Sequence, residues 1–191
     1  NMAQLADYQL ETRAIRSEHD IRDFSQHWLH LRRDVVQPAV DIVRDSILRD
    51  LGIDMTALDV HESISQQYIY GDRARLIQML IALLNNTVKY RRRSISPSII
   101  ARASCNIIGD DLLIKVSDGG IGIDQEISDR MWEHGVRGKS EFDGVKVSGN
   151  GVGCCVAQSI AKKHGFRCFV HKFRDPTVVA IRVPAGSFRM P

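Results

Sequence analysis

The sequence predicts an α+β fold, a two-layer sandwich in which a mixed β-sheet carries helices on one face. Apolar side chains recur at helical spacing in two segments, and a third helical segment follows a run of glycines. Between them, strand-like segments are joined in pairs by short turns at residues 109–110 and 175–176. Helices that interleave with antiparallel strand pairs are typical of layered α+β domains.

The composition fits one compact domain. The chain has 191 residues and is 43% hydrophobic, which is enough for one sizeable core. We expect the domain to span residues 28–191, and residues 1–27, which are polar with weak periodicity, to form a linker or the end of a preceding segment. A formal net charge of only +3 gives little reason to expect nucleic-acid binding. No apolar run reaches the ~18 residues that span a bilayer, and no signal-peptide pattern opens the chain.

The four cysteines are predicted to be reduced thiols. No C-x-x-C spacing occurs, and the adjacent Cys154 and Cys155 are poorly placed for a disulfide with each other. A redox or zinc role for these two, or for Cys105 and Cys168, is the weaker alternative. Reduced thiols indicate a cytoplasmic location, which leaves open a membrane anchor in the parent protein.

The first helix is predicted from Asp34, as N-cap, to about Leu51, with Gly52 as its stop. The second begins after Gly71-Asp72 and carries an apolar stripe at positions 76, 79, 80, 83, 84 and 88. The sequence Ser-Ile-Ser-Pro at residues 94–97 breaks it.

The remaining elements follow from turn residues and alternation. Residues 55–70 have strand character, residues 99–107 and 112–117 form a hairpin, and residues 166–173 and 177–183 form a second one. Between the hairpins, a charged stretch rich in glycine leads into a helix over residues 152–164, which Gly165 ends.

The second helix ends in a segment that can carry chemistry, residues 83–90 (LLNNTVKY). Asn86, Lys89 and Tyr90 stand at i, i+3 and i+4 and share one helical face. That face offers an amide oxygen to magnesium, an ammonium to a phosphate and a ring to a nucleotide. The alternative is a solvated helix end whose basic residues complement the helix dipole.

A second segment, residues 116–123 (VSDGGIGI), places a carboxylate at a strand end. Asp118 can accept a hydrogen bond from an amino group such as that of adenine. The glycines that follow let the backbone turn tightly against a ligand. An ordinary turn after a strand is the alternative, because one such motif is weak by itself.

A third segment, residues 148–154 (SGNGVGC), leads directly into a helix. Its alternating glycines expose backbone N–H groups at a helix N-terminus, where the dipole favours a phosphate. The spacing matches neither the P-loop nor the dinucleotide fingerprint. A flexible loop before a helix is the alternative.

The order of these segments resembles the GHKL ATP-binding superfamily and, within it, the sensor histidine kinases. Residues 71–78 (GDRARLIQ) resemble the lead-in to the family's asparagine box, and residues 131–138 (MWEHGVRG) resemble its phenylalanine box, with Trp132 where phenylalanine is usual. Residues 161–165 (AKKHG) and 183–184 (VP) resemble the turn after the second glycine box and the closing strand. The resemblance covers about residues 28–184 and implies a Bergerat-type ATP-binding fold.

The resemblance implies a role for each matching position. Asn86 would coordinate magnesium and, with Lys89 on phosphate, form the catalytic pair, while Asp118 would bind the adenine amino group. Residues 132–148 would form a mobile lid, in which Arg137 is a phosphate contact and Lys139 and Lys146 are further candidates. The other nucleotide-binding positions would be Tyr90, Gly120, Gly122, Ile123, Gly149, Gly151, Val152 and Gly153.

The activity that the resemblance implies is histidine phosphorylation in two-component signal transduction. The domain would bind Mg²⁺ and ATP and transfer the γ-phosphoryl group to a histidine on a dimerisation hairpin absent from this chain, with a response regulator downstream. The fragment is expected to be monomeric, and spacing disfavours His19 as the acceptor. Ala82 stands where hydrolytic members carry glutamate and histidine kinases commonly carry asparagine, so hydrolysis by that route is closed.

Two alternatives to an active kinase remain open from the sequence. Ala82, Trp132 and Cys154 depart from the family pattern and suit a nucleotide-binding regulatory module (a pseudokinase) without phosphotransfer activity. A structural domain that has lost nucleotide binding is the third interpretation.

Overall fold

The computed structural model describes residues 24–92, 99–136, 138, 141–142, 145–146 and 151–191. In chain order the strands are β1 (His27–His30), β2 (Leu58–Val60), β3 (Tyr68–Gly71), β4 (Ala101–Ile108), β5 (Asp111–Asp118), β6 (Glu141–Phe142), β7 (Val145–Lys146), β8 (Arg167–Lys172), β9 (Thr177–Val183) and β10 (Phe188–Arg189). The helices are α1 (Gln37–Val43), flanked by π-helical turns Leu31–Val36 and Arg44–Leu48, then α2 (Arg73–Lys89) and α3 (Gly153–Lys163).

Five strands form the main sheet in the order β2-β4-β5-β9-β8. β2 and β4 are parallel and the other neighbours are antiparallel, so the predicted mixed sheet is confirmed. Both predicted hairpins are present as β4–β5 and β8–β9. The short strands β1, β3 and β10 form a separate antiparallel sheet, and β6 pairs with β7.

The helices pack on one face of the main sheet, which makes the two predicted layers. The apolar stripe of α2 is buried at every predicted position, from Leu76 to Val88. Alternate residues of β5, among them Ile114 and Val116, meet it from the sheet. Lys115, between these two, lies on the opposite face of the sheet.

The predicted start of the first helix is wrong. Helical structure begins at Leu31, with His30 as N-cap, and not after Asp34. The His30 Nδ1 atom accepts from the backbone N–H of Arg33 at 3.2 Å, and the Asp34 carboxylate accepts from the backbone N–H of His30 at 2.8 Å. Asp34 therefore caps the helix from inside its first turn. The helical turns end at Leu48, before the predicted Leu51.

The predicted start of α2 is confirmed. Asp72 is its N-cap, and its carboxylate accepts from the backbone N–H of Arg75 at 3.1 Å. The backbone N–H of Asp72 itself donates to Nε2 of His164, at the end of α3, at 3.0 Å. This bond ties the start of one helix to the end of the other.

No helix in the described ranges is both long and apolar enough to cross a membrane. All four cysteines are free thiols, of which Cys105 and Cys168 are buried.

Candidate functional site

Asp118 is a partly buried carboxylate at the end of β5. Burial raises its pKa to about 6, against the effect of the Gly120 backbone N–H, which donates to Oδ1 at 2.8 Å. Thr177 is its register partner on β9, and the Thr177 hydroxyl also lowers this pKa. The two side chains do not form a hydrogen bond of normal geometry, however. Thr177 Oγ1 is buried and has no hydrogen-bond partner within the described residues. A carboxylate and a hydroxyl with unused hydrogen-bonding capacity thus lie together at the strand ends.

Residues 119–124, which we call the glycine loop, turn tightly after Asp118. A Cβ at Gly120 would lie 2.6 Å from Asp118 Oδ1 and 2.7 Å from the carbonyl oxygen of Tyr90. Gly122 has φ +86°, and a Cβ there would fall on Arg174. Glycine at these two positions is a steric requirement of the turn.

The glycine loop is attached to the end of α2. The backbone N–H of Ile121 donates to the carbonyl of Tyr90 at 3.1 Å. The Arg92 Nε donates to the carbonyl of Gly120 at 3.1 Å. The helix end therefore sets the position of the loop that follows Asp118.

The last turns of α2 also touch the N-terminus of α3. Asn86 Nδ2 donates to the sulfur of Cys154 at 3.2 Å. A Cβ at Gly153 would lie 3.5 Å from Asn86 Oδ1 and 3.7 Å from the carbonyl of Ala82. Burial raises the pKa of the Cys154 thiol to about 11, so this thiol stays protonated at neutral pH.

The structure thus brings two of the three predicted segments against the third. The segment Asn86–Tyr90 contacts the glycine loop on one side and the start of α3 on the other. Lys89 lies on the same helix end, with Nζ 5.8 Å from the ring centroid of Tyr90. Asn86, Lys89 and Tyr90 therefore lie at a helix end that contacts both the glycine loop and the start of α3.

The α3 N-terminus has the backbone that the third segment predicted. Gly151 has φ +71°, Val152 is the buried N-cap, and Gly153 is the first helical residue. Unpaired N–H groups at such a terminus favour an anion. Gly149 and Arg137, and Lys139 in the predicted lid, lie outside the described residues; of Lys146 only the strand position is described.

Other residues at the site were not singled out from the sequence. The sequence marks Thr177 only as the first residue of a strand, but the register of that strand with β5 places it opposite Asp118. Arg92 stands in a basic run, residues 91–93, that follows the second helix and carries no distinguishing local pattern. No local signal marks Arg174, whose contact with Asp124 joins residues fifty positions apart.

Comparison with protein families gives one match over more than half of the chain. Residues 71–187 match the family described as "Histidine kinase-, DNA gyrase B-, and HSP90-like ATPase". This range contains all three segments of the site.

Curated relatives are similar in sequence over part of their length. The adaptive-response sensory kinase SasA of Synechococcus sp. (strain CC9311) is 30% identical over 143 residues, which cover 73% of this chain and 35% of the relative. The sensor histidine kinase YkoH of Bacillus subtilis (strain 168) is 31% identical over 102 residues, 53% of this chain and 21% of the relative. The chain thus spans about a third or less of the length of these relatives.

Solved structures share the fold at low sequence identity. The catalytic domain of the histidine kinase ThkA superposes with a TM-score of 0.60 at 15% identity, covering 84% of this chain and 97% of that domain. The mycobacterial sensor histidine kinase MprB gives 0.58 at 16% identity, covering 85% and 97%. These likenesses confirm the predicted α+β two-layer architecture.

Proposed function

Because the chain belongs to the family of histidine kinase-, DNA gyrase B- and HSP90-like ATPases, we propose that it binds Mg-ATP and transfers the γ-phosphoryl group to a histidine on a dimerisation hairpin of its parent protein. The observation that carries this proposal is the position of the helix end Asn86–Tyr90 between the glycine loop and the α3 N-terminus. In this proposal the helix end lies between the base and the phosphates of a single bound nucleotide.

The base would be recognised at Asp118. Its carboxylate would accept a hydrogen bond from the exocyclic amino group of adenine. The Thr177 hydroxyl, which has no hydrogen-bond partner in the part of the chain that the structure describes, lies on the neighbouring strand. Because they lack a Cβ, Gly120 and Gly122 let the glycine loop lie against the Tyr90 carbonyl and Arg174. The loop carries Ile123 as an apolar contact for the base. Bond formation to the ligand offsets the cost of holding these polar groups away from water.

The metal and phosphates would be held at the opposite side of the helix end. An asparagine amide oxygen is a suitable magnesium ligand, and the ion takes its remaining ligands from phosphate oxygens and water. Asn86 is that ligand in our proposal, and Lys89 contacts phosphate. Gly151, Val152 and Gly153 supply backbone N–H groups at the α3 N-terminus. Gly149 and Arg137 remain predictions for the same phosphates.

The transfer itself would need positioning and charge neutralisation more than covalent chemistry. Bound magnesium would neutralise part of the charge on the phosphate oxygens. Asn86 and Lys89 would offset that charge while a nitrogen of the hairpin histidine attacks the γ-phosphorus in line. The N–P bond forms as the bond from the γ-phosphorus to the β,γ-bridging oxygen breaks, and ADP leaves. Ala82, one turn before Asn86, has no proton acceptor, so the chain offers no general base there to activate water.

The proposed partners follow from the reaction. The acceptor is the histidine-bearing hairpin of the parent, and a response regulator then receives the phosphoryl group. Similarity to a sensory kinase and to a sensor histidine kinase favours this activity over a regulatory module without phosphotransfer. We also propose a cytoplasmic location, where ATP is available.

The test is to mix this chain with the helical hairpin of its own parent and ATP labelled at the γ-phosphate. We expect an acid-labile, base-stable phosphohistidine on the hairpin, lost when Asp118→Asn replaces the wild type. Nucleotide binding without any phosphohistidine, also in the full-length parent, would instead establish the regulatory module.

A further inference from the structure

The turn between β8 and β9 also contacts the glycine loop. The backbone N–H of Ile123 donates to the carbonyl of Phe173 at 2.9 Å. Arg174 Nη2 pairs with the Asp124 carboxylate at 2.7 Å. We call residues 173–175 the hairpin tip. Its two contacts hold the far end of the glycine loop.

Arg92 connects the hairpin tip to the near end of the same loop. Its Nη2 atom pairs with the Asp175 carboxylate at 2.9 Å, while its Nε donates to the carbonyl of Gly120 at 3.1 Å. Asp175 is fixed in turn, because Lys172 Nζ donates to its carbonyl at 2.7 Å. One guanidinium therefore spans the loop and the tip, and its planar fork suits two simultaneous contacts.

Gly120 is consequently held through both of its backbone polar groups. Its N–H donates to Asp118 Oδ1 at 2.8 Å and its carbonyl accepts from Arg92. A shift of this residue would move the donor that orients the Asp118 carboxylate. The rotation of that carboxylate decides which oxygen faces a ligand.

The simpler interpretation of Arg92 is a surface ion pair. The side chain of Asp175 is 70% exposed, and exposed pairs contribute little to stability. Arg92 itself is only 31% exposed, however, and its Nε bond to Gly120 is a charged hydrogen bond to the backbone of the site. Its effect is therefore expected in the glycine loop and not in the stability of the whole domain.

We propose that Arg92 is a positioning residue for base recognition: it ties the hairpin tip to Gly120 and thereby holds the Asp118 carboxylate in the orientation that accepts the adenine amino group. This inference rests on the proposed function, since it concerns the same nucleotide. Arg92 does not contact the nucleotide in this scheme. Its influence passes through Gly120 to Asp118.

The experiment compares adenine with a base that lacks the exocyclic amino group. Affinities for Mg-ADP and Mg-IDP are measured by displacement of a fluorescent ADP analogue from the wild type, Arg92→Ala and Arg92→Lys. We expect Arg92→Ala to lower the preference for ADP over IDP about tenfold, equivalent to about 1.4 kcal/mol. Arg92→Lys keeps the charge but cannot make both contacts, so the preference for ADP over IDP should fall about threefold.

Two controls separate positioning from general effects. Arg102→Ala removes an exposed ion pair on the main sheet, in which Arg102 Nε lies 2.6 Å from the Asp59 carboxylate. This variant should leave the preference for ADP over IDP unchanged. Asp175→Asn should lower it two- to threefold, with no further loss when combined with Arg92→Ala, because the two residues act through one contact.

An unchanged ADP preference in Arg92→Ala would overturn the proposal and leave Arg92 a surface ion pair. Equal loss of ADP and IDP affinity would overturn it as well, because the effect would not concern the base. A wild type that binds neither nucleotide would instead refute the proposed function, which makes the two failures distinguishable.

Discussion

The side-chain amide of Asn86 donates to the sulfur of Cys154 at 3.2 Å, across the contact between α2 and α3. A protonated thiol accepts this bond weakly, but the bond fixes which end of the amide faces the thiol. The oxygen, which is the end that binds a cation, then points away from the sulfur.

Replacing Cys154 by alanine is therefore expected to weaken magnesium-dependent nucleotide binding. Loss of one such bond is worth about 1 kcal/mol, or roughly fivefold in affinity. Calorimetry with ADP in the presence and absence of magnesium measures this effect, which should be confined to the magnesium series. Cys155→Ala is the control on the neighbouring residue. Equal affinity of Cys154→Ala and wild type in magnesium would contradict the orienting role.

Substituting Gly120 by alanine should abolish nucleotide binding, whereas Gly119→Ala should preserve it. A Cβ at Gly120 would lie 2.7 Å from the Tyr90 carbonyl, but a Cβ at Gly119 would have no described residue other than its chain neighbours within 4 Å. The first change moves the loop away from Asp118 and the second does not. Titration of both variants with Mg-ADP tests this contrast, and similar affinities in the two would show that the loop tolerates the displacement.

Asp118→Asn should make the nucleotide-free domain more stable at neutral pH. Burial raises the pKa of Asp118 to about 6, whereas an unfolded aspartate titrates near ~3.9. Between these values the native state binds more protons, so the free energy of unfolding falls as pH rises. The variant removes a penalty of up to about 3 kcal/mol at pH 7, at about 1.4 kcal/mol per pKa unit.

Urea unfolding at pH 4 and pH 7 measures this difference. The gain should be small at pH 4 and large at pH 7, and Asp110→Asn, in the exposed β4–β5 turn, should show neither. A variant that is less stable than wild type at pH 7 would show that the carboxylate is not held at a cost to the fold.

His164 should make the fold sensitive to acid. Its Nε2 accepts from the Asp72 backbone N–H and its Nδ1 donates to the Ile160 carbonyl, so the native state requires the neutral ring. Burial lowers its pKa below the unfolded value. Its contribution is therefore complete above that value, near ~6.5, and is lost as pH falls through the lower folded pKa.

His164→Ala should cost about 1–3 kcal/mol at pH 7, because a buried N–H loses its acceptor. Thermal unfolding across pH 4 to 8 measures the cost, which should shrink toward acid pH. His171→Ala, on the exposed part of β8, is the control. A cost that stays constant over this range would mean that His164 acts only by filling space.

Strong local patterns in the sequence predicted most of the fold. The stripe of α2 and the turn residues of both hairpins placed these elements to within a few residues. The start of the first helix was missed because two residues share its capping. His30, at the end of the preceding strand, is the N-cap, and the Asp34 carboxylate accepts from the His30 backbone N–H from inside the helix. Aspartate, the residue type that is typical of an N-cap, therefore lies four positions after the actual cap.

The candidate site was predictable where one segment carries its own chemistry, as at Asn86 and Asp118. The supports of the glycine loop were not, because they join distant parts of the chain. Arg92 meets Asp175 across 83 positions, and Arg174 meets Asp124 across 50. Such contacts depend on which strands are neighbours, and that is fixed by the packing of the sheet rather than by any local pattern.

We propose that the glycine loop, the end of α2 and the start of α3 bind one adenine nucleotide. Calorimetric titration of the wild type, Asp118→Asn and Asn86→Ala with Mg-ADP tests it most directly. We predict one micromolar site in the wild type, at least about thirtyfold weaker in Asp118→Asn because a charged hydrogen bond is lost, and weakened in Asn86→Ala only when magnesium is present. Wild-type affinity in both variants, or no binding by the wild type, would contradict the claim.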